Sequence, residues 1–171
     1  PAPVRCAFEF RPADGAASPR YRIDIVRMRV ISEFCLKRQV HFYETDAAGI
    51  VHFSVFFRYV EEAEHAMWRA AGLSIAPPNA SVGFPRVAAN FDFLRPLYFE
   101  DEFEVHLRIT RKSSRSLSYG ATIEKDGNAL ARGTLTIACV QKLAGGPMQS
   151  ATIPAEIANA FEVATPEAVK G

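Results

Sequence analysis

Between Val55 and Ala71 the apolar positions Phe56, Tyr59/Val60, Ala63, Met67 and Ala70 recur at helical spacing. Glu61, Glu62, Glu64, His65 and Arg69 fill much of the remainder, and Gly72 supplies a C-terminal stop. Elsewhere the pattern is that of strands. Phe34–Thr45 reads as one strand, rich in aromatic and β-branched residues toward its end. Phe84–Leu94, Glu102–Arg111, Leu117–Lys125 and Ala129–Lys142 follow, with a hairpin turn at Asp126-Gly127-Asn128. Pro77-Pro78-Asn79 is a loop, and Pro154–Phe161 reads as a short helix with proline in its first turn. Strands joined by short turns are antiparallel neighbours. One long helix plus such a run predicts an α+β layer, the helix covering one sheet face.

The chain of 171 residues fits one domain with one core. Residues 1–27 read as a weakly ordered arm, 28–162 as the domain and 163–171 as a frayed tail. The first 38 residues hold eight Lys/Arg against four Asp/Glu, which reads as a solvated arm, and Met28 is an alternative start. A net charge of +1 gives no electrostatic case for a nucleic-acid partner. Cys6, Cys35 and Cys139 are far apart and form no CxxC, so neither a zinc knuckle nor a disulfide framework is expected; free thiols in a reducing cytoplasm are. No apolar run reaches the roughly 20 residues of a membrane span, and the N-terminus lacks the apolar core of a secretory signal.

The chemistry concentrates in Gln39 to Phe57, QVHFYETDAAGIVHFSVFF. An apolar strand runs through an acidic break into an aromatic-rich helix start. Asp46 sits at the break, beside a helix N-terminus with unpaired backbone N–H groups and a positive dipole end. Such groups hold negative charge developing on a carbonyl oxygen, and the carboxylate attacks that carbonyl or activates a water. The other reading of Asp46 is a capping or turn residue. His41 and His52 flank it, but no GxSxG nucleophile elbow is present. Ser54 reads as the helix N-cap.

The segment Gln39-Val40-x4-Thr45-Asp46-x2-Gly49-Ile50-Val51-x-Phe53 resembles the signature of 4-hydroxybenzoyl-CoA-type thioesterases. The segment Phe91-x-Phe93-x-Arg95-Pro96-Leu97-x3-Asp101 resembles a second element of the same family. The likeness covers residues 34–162 and implies the hotdog fold, an antiparallel sheet wrapped around one long helix. It implies a homodimer assembling to a tetramer, active sites at subunit interfaces, and hydrolysis of acyl-CoA or aryl-CoA without a metal or other cofactor. By that resemblance Asp46 is the catalytic carboxylate, the Phe53 N–H the oxyanion donor, and Gly49 the small residue that lets the thioester approach the backbone. Glu61 falls where aryl-CoA members carry an acidic residue on the helix. Ile50 and His52 join the substrate-contacting set, and Arg111, Lys112 and Arg115, with Arg108, form a basic cluster suited to CoA phosphates. Two positions depart from relatives: Phe53 replaces a histidine of some acyl-CoA branches, and Val55 replaces a common asparagine. The Phe53/Glu61 combination and the neighbouring aromatic residues favour aryl-CoA, naphthoyl-type esters included, over short-chain acyl-CoA. The competing functions are a hydroxyacyl-thioester dehydratase using His52 with Asp46, a non-catalytic acyl-CoA sensor, and a structural partner protein.

Overall fold

The computed structural model describes residues 30–141 and 146–165. The N-terminal arm, Met28, Cys6, Lys142 and the end of the tail lie outside them. Strand β1 (Glu33–Gln39) is followed by a 3-10 turn (Phe42–Glu44), helix α1 (Val55–Ala70), β2 (Val82–Gly83) and β3 (Arg86–Phe93). Then come β4 (Glu102–Lys112), β5 (Ser116–Lys125), β6 (Asn128–Ala138), β7 (Val140–Gln141), β8 (Gln149–Ser150) and α2 (Ala155–Ala160). The main sheet has the order β1-β4-β5-β6-β3, with every pairing antiparallel. A small second sheet has the order β2-β7-β8.

The period-2 pattern of the long strands puts one apolar set on the helix. Phe103, Val105, Leu107 and Ile109 of β4 are buried, with Leu117, Tyr119, Ala121 and Ile123 of β5 and Leu135 and Ile137 of β6. Phe56, Tyr59, Val60, Ala63, Met67 and Trp68 of α1 complete the core. The helix and the antiparallel sheet are those expected. The Asp126-Gly127 turn has positive φ at both residues (51° and 72°), and Lys125 pairs with Asn128, as a tight two-residue hairpin requires. Gly72, at φ +77°, stops α1.

Four expectations are corrected. The strand expected over Phe34–Thr45 ends at Gln39, because Val40 N–H turns to Asp101 O (3.0 Å) and His41 N–H to the Glu44 carboxylate (2.8 Å). The strand expected over Phe84–Leu94 begins only at Arg86, after Pro85, which has no N–H for a ladder. On α1, Glu64 is fully buried and Ala70 is exposed, the reverse of their pattern positions. Finally, Cys139 is a buried free thiol, but Cys35 is disulfide-bonded. Among the described residues no helix is long and apolar enough to cross a membrane.

Gly133 of β6 pairs with Phe91 of β3. A Cβ there would lie 2.4 Å from Asn90 O and 2.7 Å from the Phe91 ring. Gly133→Ala is therefore expected to lower stability by about 1–3 kcal/mol through overpacking, read as a lower urea midpoint at unchanged slope. An unchanged midpoint would show that β3 shifts freely.

Candidate active site

Asp46 stands in a tight loop between the 3-10 turn and α1. Thr45 pairs with Val51, Asp46 N–H donates to Ile50 O (2.9 Å) and Gly49 N–H to Asp46 O (2.9 Å). The side chain closes a small turn of its own, Oδ1 accepting Ala48 N–H at 2.8 Å. The other carboxylate oxygen has no hydrogen-bond partner among the described residues. Gly49 has φ +76°, and a Cβ there would meet nothing within 4 Å. Within this chain the left-handed backbone demands the glycine, not crowding.

The two motif segments meet here. Val51 N–H donates to Leu97 O (2.9 Å), Ile50 pairs with Tyr98, and Leu97 is fully buried beneath them. Asp101 holds the underlying turn by accepting Tyr98 N–H (2.9 Å) and pairing with Lys125 (2.5 Å). The second motif is thus the floor of the Asp46 loop.

The other limb of the loop enters α1. Ser54 occupies the N-cap position, as expected, but its side chain caps nothing. Its hydroxyl lies 2.8 Å from His52 Nδ1, and its N–H donates to the same nitrogen at 3.3 Å. An Nδ1 that accepts the Ser54 amide leaves the ring proton on Nε2. The Phe53 N–H has no acceptor among the described residues, and its side chain is exposed. An unsatisfied N–H at a helix start is an anion site in waiting. His52 and Asp46 make no bond to each other, each engaged with its own backbone neighbourhood. That pairing, which dehydration would use, is not assembled.

Glu61 lies apart from Asp46 in the chain, about two turns into α1. It is partly exposed and pairs with Arg86 (3.0 Å), which also binds buried Glu64 (2.6 Å). The Tyr119 hydroxyl accepts from Trp68 Nε1 (3.1 Å) and stands close enough to influence the Glu64 carboxyl. Glu64 Oε1 is buried without a hydrogen-bond partner among the described residues. Burial, opposed chiefly by Arg86, lifts the Glu64 pKa to about 7.

The basic cluster is divided and remote. Arg111 and Arg115 are exposed, with no side-chain partner among the described residues. The Lys112 ammonium is engaged at the end of α2, donating to Ala158 O (2.8 Å) and Phe161 O (2.7 Å). Arg108 binds Thr165 O and Glu33. Since Asp101, just before β4, borders the Asp46 loop, Arg111 lies roughly 30 Å from it along the strand. The chain by itself does not bring Asp46 and Arg111 together.

Sequence reasoning missed Glu44. It is buried, accepting His41 N–H and the Tyr59 hydroxyl (both 2.8 Å) on Oε2 and Arg38 (2.9 Å) on Oε1. Arg38 also pairs with Glu62 and lies 4.9 Å over the Tyr59 ring. An open groove of ≈ 1040 Å³ runs beside this network, lined by residues including Arg38, His41, Tyr43, His65 and Arg69; its lining omits Asp46, Gly49 and Phe53. On the outer sheet face, Cys35, Glu104 and His106 offer atoms within 4.8 Å of one another. Cys35, being disulfide-bonded, offers no thiolate there.

Residues 40–161 match the thioesterase-like superfamily, and the chain belongs to that family, with its hotdog fold. A 1,4-dihydroxy-2-naphthoyl-CoA hydrolase of Parasynechococcus marenigrum (strain WH8102) is 35% identical over 108 residues, 57% of this chain and 70% of the relative. Across the relatives, the matched part runs from 51% to 78% of their length. A hypothetical protein of Aquifex aeolicus superposes with TM-score 0.70 at 30% identity, over 75% of this chain and 99% of its own. A 1,4-dihydroxy-2-naphthoyl-CoA thioesterase from Synechocystis gives 0.68 at 28% identity, over 75% and 94%.

Proposed function

We propose that this chain hydrolyses a CoA thioester to free acid and CoA, with Asp46 as the reacting carboxylate. One arrangement carries the reading: on one limb of a short loop a carboxylate oxygen, and on the other the Phe53 N–H at the helix start, both without a partner among the described residues. The amide and the helix dipole polarise the thioester carbonyl. Asp46 then either attacks the carbonyl carbon, expelling CoA thiolate and leaving an anhydride for water to open, or deprotonates a water that attacks. In both routes the thiolate leaves and water supplies the new carboxyl oxygen. The relatives that act on naphthoyl-CoA, and the exposed rings of Phe53, Tyr98 and Phe99 around the loop, support an aryl acyl group.

We place the working site between two copies. Strand β3 is a sheet edge exposed along most of its length, with Val87 and neighbouring Leu94 exposed and Phe93 half-exposed, its ring edge-on to Phe56. Such an edge is a template for pairing. Antiparallel pairing of β3 with its copy would turn one subunit's Arg111 and Arg115 toward the end that carries the other's Asp46, where a CoA phosphate could meet them. Lysines at both Ala88 and Ala89 would charge each face of the edge. That double variant is expected to run as a monomer in light scattering and to lose at least about tenfold in turnover; a monomeric variant of full activity would show that each chain works alone.

Thiol release from a panel of CoA esters tests the function: 4-hydroxybenzoyl-, benzoyl-, dihydroxynaphthoyl-, butyryl- and decanoyl-CoA. Release from aryl esters first is expected. No release from any, with tight binding by titration, would replace the hydrolase with an acyl-CoA sensor.

A further inference from the structure

We propose that Glu44 is a positioning residue for this hydrolysis, holding Asp46 and the Phe53 amide in register; the inference rests on Asp46 being the reacting carboxylate. Glu44 does not touch the site. It clamps the loop that carries it, from both sides.

The carboxylate does the first half. Oε2 takes the His41 N–H where the chain leaves β1, and the same oxygen takes the Tyr59 hydroxyl from the second turn of α1. Oε1 takes Arg38 from the end of β1. One side chain therefore ties the strand end, the 3-10 turn and the helix into one unit. The backbone does the second half: Glu44 O accepts His52 N–H at 3.0 Å, one residue before the Phe53 amide. Asp46 lies two residues from this clamp on one limb, and Phe53 lies one residue from it on the other.

A buried charge is a costly way to hold a turn, since desolvation must be offset by paired donors. Three donors from three segments meet that need here, with geometry an apolar residue could not impose. The consequence is orientational. Misplacing a reacting group by about 1 Å costs on the order of 10²-fold in rate, and this clamp fixes the span on which the separation of Asp46 and the Phe53 amide depends. Tyr59 reinforces it: desolvation, with the Glu44 bond next, pushes the phenol pKa well up, so it remains a donor across the working range.

The test uses Glu44→Gln, Tyr59→Phe and the double variant in the full chain, assayed on the best ester. Glutamine keeps the shape but turns an amide toward Arg38. We expect kcat to fall about 10–100-fold with KM changed less than threefold, and the pH profile of kcat/KM to keep its shape. Tyr59→Phe should lower kcat less, and the double variant should fall short of the product of the two, because both act through one clamp. A role in folding alone would lower the melting temperature and leave kcat of the folded protein intact. Wild-type kcat in folded Glu44→Gln overturns the proposal. Should that variant not fold, wild-type kcat in Tyr59→Phe overturns it instead. If Asp46→Asn is as active as wild type, the functional reading fails and takes this inference with it; if Asp46→Asn is inactive and both clamp variants are normal, only this inference fails.

Discussion

Asp46→Asn is expected to lower kcat for thioester hydrolysis by roughly 10²–10⁴-fold, the range a positioned acid–base or nucleophilic group contributes. The substitution keeps the side-chain volume and an oxygen that can accept Ala48 N–H, so the small turn closed at 2.8 Å survives. It removes the negative charge on the free oxygen and with it both the nucleophile and the base. Binding is expected to change little, because the carboxylate contributes none of the proposed CoA contacts and the Phe53 amide remains. Kinetics and titration should therefore separate: kcat collapses while the dissociation constant of a slowly hydrolysed aryl-CoA analogue stays within about threefold. Turnover within tenfold of wild type would sink the assignment and shift attention to Glu61 on the helix. Glu61 is the weaker candidate because Arg86 already holds it at 3.0 Å.

The fold was legible because its signals are periodic. Phe103, Val105, Leu107 and Ile109 alternate, and Asp126-Gly127 permits only a few turns, so strands and hairpin follow from local rules. Helix α1 was legible in extent, but Glu64 was not. At helical spacing a glutamate beside Glu61 and Glu62 reads as solvent-facing, and only the approach of Arg86 from a distant strand makes burial tolerable. Long-range pairing is invisible to a window of one turn. The same limit explains Glu44. The acidic break contained Glu44 and Asp46, and nothing local tells the two carboxylates apart. Which one turns inward depends on Tyr59 and Arg38, residues 15 and 6 positions away. The second motif marked its segment, but that it forms the floor under Ile50 and Val51 is a tertiary fact. Lys112 shows the same limit: a lysine in a basic run reads as free until the carbonyls of α2 arrive.

Glu64→Gln is expected to become progressively more stable than wild type as pH rises from about 4.5 to 7. Burial raises the folded-state pKa of Glu64 from 4.5 to about 7, with Arg86, and then Tyr119, pulling it back down and Glu61 pushing it up. The folded protein therefore binds this proton more tightly than the unfolded chain does. Its stabilising contribution is fully present below the unfolded value and is lost as pH climbs through the folded one. Across that window the wild type should lose on the order of 2–3 kcal/mol relative to glutamine, which has no proton to give up. Urea unfolding of both proteins at pH 5, 6 and 7.5 reads the difference directly, and parallel pH curves would disprove the raised pKa. The cost has a structural address. Glu64 leaves Oε1 unsatisfied in the core while Oε2 binds Arg86, the first residue of β3. Glutamine keeps an acceptor for Arg86 without the buried charge, so the gain should appear as stability with α1 still tied to β3. Because Arg86 opens β3, the edge we propose for pairing, a charge on Glu64 bears on how firmly that edge is tied to α1.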